Sequence, residues 1–179
     1  MKRAPLLVAA LTLTLSLTLA GCGARSLGNK IDDQFIAPQV SSEIGRSNAD
    51  LSETTSHIVV TSYNGVVLLA GQTPRADLKN LAEQAARRVQ GVRLVHNQLQ
   101  VLPPSSLAAR STDSLLTTEI KASMLADTSV PGSKIKVVTE NGIVYLLGLV
   151  SHAEANSATR VVQGIGGVQG IVRLFEYTD

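Results

Sequence analysis

Aromatic and cysteine residues are scarce in this chain of 179 residues. It has no tryptophan, three tyrosines, two phenylalanines and a single cysteine, Cys22. One cysteine cannot close an intramolecular disulfide, and so few aromatic rings cannot supply the platforms on which nucleic-acid bases stack. The composition therefore argues against a protein held together by internal disulfides and against a base-stacking nucleic-acid binder.

An excess of positive charge is also missing once processing is considered. The full chain has 16 Lys and Arg against 14 Asp and Glu. Lys2 and Arg3 belong to the segment that we expect to be removed, so the mature chain carries 14 basic and 14 acidic residues. Phosphate recognition needs a basic patch or stripe, and this balance predicts no nucleic-acid partner.

No hydrophobic run is long enough to span a membrane. The apolar residues 6–19 follow Lys2 and Arg3 and end in the sequence Leu-Ala-Gly-Cys at residues 19–22. A positively charged start, a short apolar run and small residues at the end are typical of a signal peptide. We predict a cleaved lipoprotein signal peptide at residues 1–21, with Cys22 as the acylated first residue of the mature protein.

The residue after Cys22 bears on the destination of the lipoprotein. Lipoproteins that stay in the inner membrane of diderm bacteria commonly carry Asp at this position, where this chain has Gly23. Similarity to that sorting rule places the protein in the outer membrane, lipid-anchored and facing the periplasm.

Residues with catalytic or metal-binding chemistry form no recognisable motif. His57, His96 and His152 are scattered, and none has a Cys, His or carboxylate partner at metal-ligand spacing. A nucleophile elbow and a phosphate-binding loop are also missing. We expect no catalytic residue, no metal and no cofactor, and therefore no enzyme.

The strongest pattern is a duplication, in which residues 57–71 recur as residues 134–148. In each copy β-branched residues lead to Asn-Gly, at Asn64–Gly65 and at Asn141–Gly142, and a second apolar run ends at a glycine. Asn-Gly between two apolar runs indicates a two-residue β-hairpin turn. The closing glycines, Gly71 and Gly148, suit a tight turn or a close approach of the backbone.

Each copy extends into a module of helix, strand, strand, helix and strand over roughly 70 residues, a length at which a lone core is only marginally stable. An amphipathic pattern predicts the second helix of the first copy at about residues 75–90, and the last strands are expected at residues 95–101 and 171–177. We place the first module at residues 28–101, a Pro- and Ser-containing linker at 102–110 and the second module at 111–179.

The fold class is α+β. Each module is expected to form a three-stranded mixed sheet with two helices on one face. A strand, helix, strand connection is right-handed, so the third strand should run parallel to the second, on the far side of the first.

This order of elements, the Asn-Gly hairpin and the later Gly-Val at residues 91–92 and 167–168 resemble a BON domain. Two such modules behind a lipobox resemble the dual BON-domain outer-membrane lipoproteins of the DolP/YraP-like family. The resemblance implies a non-enzymatic, phospholipid-associated role in maintaining outer-membrane integrity. It also implies that the first helix of the second module binds anionic lipid.

That helix has two apolar sides when its residues are placed 100° apart. Leu116, Ile120 and Met124 form the side that faces the core. The opposite side has two uses that the sequence leaves equally open, contact with lipid or packing against the other module or the linker. The candidate phospholipid-binding residues are Leu115, Thr118, Lys121, Ala122 and Leu125, with Ala126 beside them. Lys121 would supply the charge toward an anionic phospholipid such as phosphatidylglycerol.

The corresponding helix of the first module is more polar on its outer side. Ile36, Val40 and Ile44 form its core side, and the outer residues are Phe35, Ser42, Gly45 and Arg46. Pro38 removes a backbone hydrogen bond, so this helix should be shorter or kinked. The first module is therefore expected to be structural.

A different class of function is an adaptor. A tethered pair of modules could dock an envelope protein assembly or a cell-wall-associated partner through its sheets or through the outer side of the helix. Sequence patterns do not separate this function from lipid contact.

Overall fold

The computed structural model describes residues 27–179, with side chains from residue 33 onward. The predicted signal peptide and Cys22 lie outside these residues. No helix in the described part is both long and apolar enough to cross a membrane.

The first module contains two helices and a sheet of four strands, the last of them very short. Its elements are α1 (Leu27–Ser47), β1 (His57–Tyr63), β2 (Val66–Thr73), α2 (Ala76–Arg87), β3 (Leu94–Asn97) and β4 (Gln100–Val101). The predicted last strand is thus divided in two. Leu99 lies in the gap and is buried in the core, and burying this side chain interrupts the regular strand.

The second module repeats this order with one long final strand. Its elements are α3 (Leu107–Ala126), β5 (Ile135–Glu140), β6 (Ile143–Val150), α4 (His152–Gln163) and β7 (Gly170–Tyr177). The first four residues of α3, 107–110, fall within the predicted linker. Ser106 caps it, because the Ser106 hydroxyl accepts a hydrogen bond from the Ala109 N–H at 3.2 Å.

The middle strand of each sheet is the second strand of the module. The orders are β1-β2-β3 and β5-β6-β7, and β4 continues the parallel pairing with β2. The third strand is parallel to the second, as predicted. The third strand was predicted to lie on the far side of the first strand. This prediction is wrong, because the third strand pairs directly with the second. Strand β2 is buried along its whole length and β6 along most of it, and a strand this apolar is best covered at the centre of a sheet.

Both Asn-Gly hairpins have the backbone that this dipeptide favours. The φ angles are 53° at Asn64 and 74° at Gly65, and 52° at Asn141 and 74° at Gly142. Positive φ at both central residues is the mark of the turn that matches the twist of a hairpin. The register runs without a slip from Tyr63 opposite Val66 and from Glu140 opposite Ile143.

Gly71 and Gly148 do not end the second strands as predicted, because each lies two residues before the end of its strand, and the two differ in backbone conformation. Gly71 has a φ of 111°, and a β-carbon there would collide with the carbonyl of His57 on β1. A β-carbon at Gly148 would lie 3.0 Å from the carbonyl oxygen of Lys134. At Gly71 the backbone of β1 leaves no room for a side chain, whereas at Gly148 the contact is only tight.

A buried aspartate holds each hairpin turn against the first helix of its module. Asp33 accepts hydrogen bonds from the N–H groups of Asn64 and Gly65, at 2.6 and 3.0 Å, and from the Ser62 hydroxyl at 2.7 Å. Asp113 accepts hydrogen bonds from the two equivalent backbone N–H groups of the second turn. These contacts join helix and hairpin in both copies, and the sequence analysis assigned no role to either aspartate.

Replacing Asp113 with alanine is expected to lower the free energy of unfolding by about 2–3 kcal/mol, since it leaves buried N–H groups without an acceptor. The Asp113 carboxylate accepts from the N–H groups of Asn141 and Gly142 at 2.8 and 2.9 Å. Urea denaturation measures the change. Glu119→Ala, an exposed acidic residue of the same helix, is the control and should change stability little. Equal losses in the two variants would contradict this role.

Helix α1 is continuous through Pro38, so of the two predicted alternatives, a shorter or a kinked helix, the shorter one is wrong. It has 21 residues, against 20 in α3. Pro38 is exposed, while Ile36, Val40 and Ile44 are buried against the sheet. The missing N–H therefore costs one hydrogen bond on the solvent side, and packing of the core side preserves the helix.

The two sheets pack face to face through the sides that carry no helices. Leu68 and Ala70 of β2 meet Tyr145 and Leu147 of β6, all 2% exposed or less. Their sequence neighbours, such as Leu69 and Leu146, point the other way into the separate core of each module. Because successive side chains alternate between faces, each middle strand contributes to two cores.

Polar contacts at this sheet-to-sheet interface follow the duplication. The Tyr63 hydroxyl donates to the Lys134 carbonyl oxygen at 2.8 Å and accepts from the Leu149 N–H at 3.2 Å. Glu140 occupies the place of Tyr63 in the second copy, and its carboxylate lies 3.4 Å from His57 Nε2. Burial raises the pKa of the Glu140 carboxyl, and the nearby His57 opposes this shift. Tyr63 and Glu140, at equivalent positions of the two copies, thus each contact the other module.

Candidate functional site

Helix α3 is held rigidly by its inner side. Leu116, Ile120 and Met124 are at most 6% exposed and pack in the core of the second module. A helix of 20 residues is about 30 Å long, so its outer side forms an extended surface. The inner residues thereby fix which side of the helix points away from the module.

The outer side is apolar and uncovered. Leu107, Leu115 and Leu125 are 81%, 71% and 64% exposed. We call this surface the outer strip; it consists of Leu107, Ala108, Ser111, Leu115, Thr118, Ala122, Leu125 and Ala126, all exposed. Large exposed side chains grouped on one helix face are typical of a contact surface rather than of scattered surface residues.

The exposure of Leu115 and Leu125 argues against one of the two uses left open by the sequence, packing against the first module or the linker. No other part of residues 33–179 covers them, so the strip does not pack against the first module or the linker. Leu107 was missed because the linker was predicted to continue to residue 110. The signal that could have identified it is Ser106, a residue type that favours the start of a helix.

Three hydroxyl groups on or beside the strip are hydrogen-bonded within the helix. Thr118 donates to the Ser114 carbonyl oxygen at 2.9 Å, and Ser114 and Thr112 donate to carbonyl oxygens four residues earlier. A polar group that keeps its hydrogen bond costs much less to remove from water. The strip can therefore enter an apolar environment with few unpaired donors.

Lys121 does not point its charge toward the outer strip. Its Nζ donates to the carbonyl oxygens of Gly132 and Ile135, both at 2.8 Å. Partial burial lowers the pKa of this lysine. The prediction that Lys121 supplies charge at the surface is therefore wrong, because its ammonium group is held by the backbone carbonyl oxygens of Gly132 and Ile135. Glu119 is the charged residue left exposed beside the strip.

Within residues 33–47, where its side chains are described, α1 has no equivalent apolar strip. Phe35 is 60% exposed, but Ser42, Gly45 and Arg46, which follow it on the same side, are small or polar. This difference between the copies agrees with their sequences. Asn64, Gly65, Asn141 and Gly142 form the hairpin turns. Asn141 and Gly142 also line a cavity beside the outer strip, together with Leu115.

The three histidines remain separated in the fold. His57 lies at the interface of the sheets, and His152 stacks on Tyr177 at 3.8 Å between ring centres. Burial lowers the pKa of His96 on β3. Within the described residues, no three His, Cys, Asp or Glu side chains are placed to hold a metal ion.

The described residues form a tandem α+β protein. Its two modules have the same order of helix, strand, strand, helix and strand and dock through their sheets, and the outer side of α3 is apolar and uncovered. The BON domain family matches residues 32–103 and 112–179. The chain belongs to the BON domain family, and both copies of the duplication are members. The resemblance and the fold class inferred from the repeated hairpin are confirmed.

Curated relatives cover most of the chain. It is 39% identical over 155 residues to the outer membrane lipoprotein DolP of Haemophilus influenzae, a match that covers 87% of this chain and 79% of that protein. It is 34% identical over 155 residues to a 21 kDa hemolysin of Actinobacillus pleuropneumoniae, with the same coverage. It is also 32% identical to the osmotically-inducible protein Y of Escherichia coli, over 81% of this chain and 72% of that protein. These matches support an outer-membrane lipoprotein with BON domains.

Proposed function

We propose that the protein is anchored in the outer membrane through acylated Cys22, faces the periplasm and contacts phospholipid with the outer strip of α3. In this role it helps to maintain the envelope barrier. The observation that carries the proposal is the exposure of Leu107, Leu115 and Leu125 on one side of a rigid helix. The relative named as an outer membrane lipoprotein supports the location.

The contact is apolar rather than electrostatic. Fully burying a leucine side chain yields about 1.5–3 kcal/mol, so three leucines that enter a bilayer only partly supply a few kcal/mol. Lys121 is engaged with backbone carbonyls and Glu119 opposes an anionic surface. Binding by the modules alone should be weak, and the lipid anchor makes it effective by raising the local concentration.

Replacing Leu115 with aspartate is expected to reduce vesicle binding by about tenfold or more, because a carboxylate at the centre of the strip cannot enter the apolar layer at low cost. Flotation of the Cys22→Ala chain with phosphatidylcholine or phosphatidylglycerol vesicles measures this binding. The matched control is Phe35→Asp, which changes the exposed apolar residue of α1 and should leave flotation unchanged.

The two vesicle compositions separate apolar from electrostatic contact. We expect similar flotation with both lipids, since no exposed lysine or arginine lies on the strip. Flotation that is insensitive to Leu115→Asp would overturn the lipid contact and favour an adaptor that docks an envelope protein.

A further inference from the structure

Strand β7 presents an open edge of eight residues. It lies at the end of the sheet order β5-β6-β7, and no strand in residues 27–179 pairs with its outer side. The Thr178 N–H donates to the Val150 carbonyl oxygen, and alternate residues of a parallel strand bond to the same neighbour. The backbone groups of Ile171, Arg173 and Phe175 therefore point to the open edge.

A groove runs between this edge and helix α4. Its volume is about 890 Å³, and its walls are formed by Asn156, Ser157, Arg160 and Gln163 of α4 with Ile171 and Arg173 of β7. A strand edge beside a helix-lined groove is the arrangement in which an extended peptide adds to a sheet. Backbone groups would supply the hydrogen bonds, and the groove would receive alternate side chains.

The groove is positively charged. No acidic residue lines it, and Arg160 and Arg173 are both exposed. Arg160 donates to the Ser157 hydroxyl at 2.9 Å and Arg173 to Asn156 Oδ1 at 3.2 Å, both of them neutral acceptors. Within the described residues neither arginine forms a direct ion pair. The Asp127 carboxylate lies near enough to Arg160 for this arginine to help lower the pKa of Asp127, but Asp127 does not line the groove. A carboxylate offered by a ligand would therefore gain a charge-assisted hydrogen bond.

The first module has closed the same groove. Asn97 of β3 corresponds to Arg173, and its side chain donates to the Lys79 carbonyl oxygen at 2.9 Å and to Glu83 Oε2 at 3.1 Å. These bonds tie the strand to α2 and place an acidic residue at the contact. Strand β3 is also only four residues long. The open, basic groove is thus a feature of the second module.

We propose that the edge of β7 and its groove bind an extended, acidic segment of a partner protein, which pairs with β7 as an additional strand. Acidic side chains on one face of the added strand would contact Arg160 and Arg173. The open edge and the basic walls coincide at this place, whereas in the first module the corresponding edge strand is only four residues long and Asn97 replaces the arginine. The site is separate from the outer strip, so it needs no lipid.

The test uses a short blocked peptide of alternating glutamate and valine with the isotope-labelled Cys22→Ala chain. We expect the peptide to slow hydrogen exchange of the Ile171, Arg173 and Phe175 amides by about tenfold or more at saturation. The double variant Arg160→Glu with Arg173→Glu should weaken binding by about tenfold or more, whereas Arg88→Glu, an exposed arginine of the first module, should not.

Peptide variants test the strand geometry directly. A lysine-valine peptide should not bind, and methylation of alternate backbone nitrogens should abolish binding by removing the hydrogen bonds.

Failure of the glutamate peptide to protect β7 overturns the proposal. Concentration-dependent dimers that protect β7 without peptide would assign the edge to a second copy instead. Loss of vesicle flotation in the double variant would assign the arginines to lipid and also overturn the proposal.

Discussion

Replacing Cys22 with alanine should remove the protein from the outer-membrane fraction, which is the largest effect we expect from one substitution. A diacylglycerol and an amide-linked acyl chain on this residue would bury several tens of methylene groups at about 0.8 kcal/mol each. The outer strip supplies a few kcal/mol at most and cannot hold the protein alone. Membrane fractionation and the mass of the purified chain measure the change.

Gly23→Ala is the matched control, because it alters the adjacent residue and retains the acylated sulfur. It should stay in the outer-membrane fraction. If the barrier role depends on the anchor, cells with Cys22→Ala should admit large antibiotics as readily as cells without the gene. A Cys22→Ala chain that remains in the outer membrane would show that another attachment holds the protein.

Replacing Leu147 with aspartate is expected to destabilise the protein by about 3–5 kcal/mol, because it places an unpaired charge in an apolar contact. Leu147 is 1% exposed and packs at the sheet-to-sheet interface with Tyr63, Leu68, Ala70 and Tyr145. Urea denaturation measures the loss. Hydrogen exchange should also become faster on both middle strands, β2 and β6, since they share this interface.

Leu115→Asp makes the same chemical change at an exposed position of the second module and serves as the control. It should alter the free energy of unfolding by less than about 0.5 kcal/mol. Similar losses in the two variants would mean that the sheets are not docked in solution. The pair also separates stability from lipid contact, because Leu115→Asp should affect vesicle binding without unfolding the protein.

Local patterns predicted the elements well where one short segment determines its own structure. Asn64–Gly65 and Asn141–Gly142 specify a hairpin through their backbone preferences, and both turns were predicted correctly. The helix predicted near residues 75–90 is present as α2, with Arg75 at its N-cap. These features depend on neighbours in sequence, so little tertiary information is needed.

Predictions failed where a distant contact changes the outcome. Pro38 did not shorten α1, because the buried side of the helix is held by the sheet. Lys121 turned toward two carbonyl oxygens that are 11 and 14 residues away. The roles of Asp33 and Asp113 were missed for the same reason, since their partners lie about 30 residues later in the turns.

The sequence by itself determined that this chain has two BON modules, each with its hairpin, and that the first helices of the two copies differ on their outer sides. Only the tertiary structure decided which apolar surfaces remain uncovered. The middle strands have apolar side chains on both faces, and both faces must be buried. The hydrophobic effect is not directional, so the sequence does not specify which part of the chain buries each face. Docking of the two sheets used those faces, and it left the outer strip of α3 and the edge of β7 exposed.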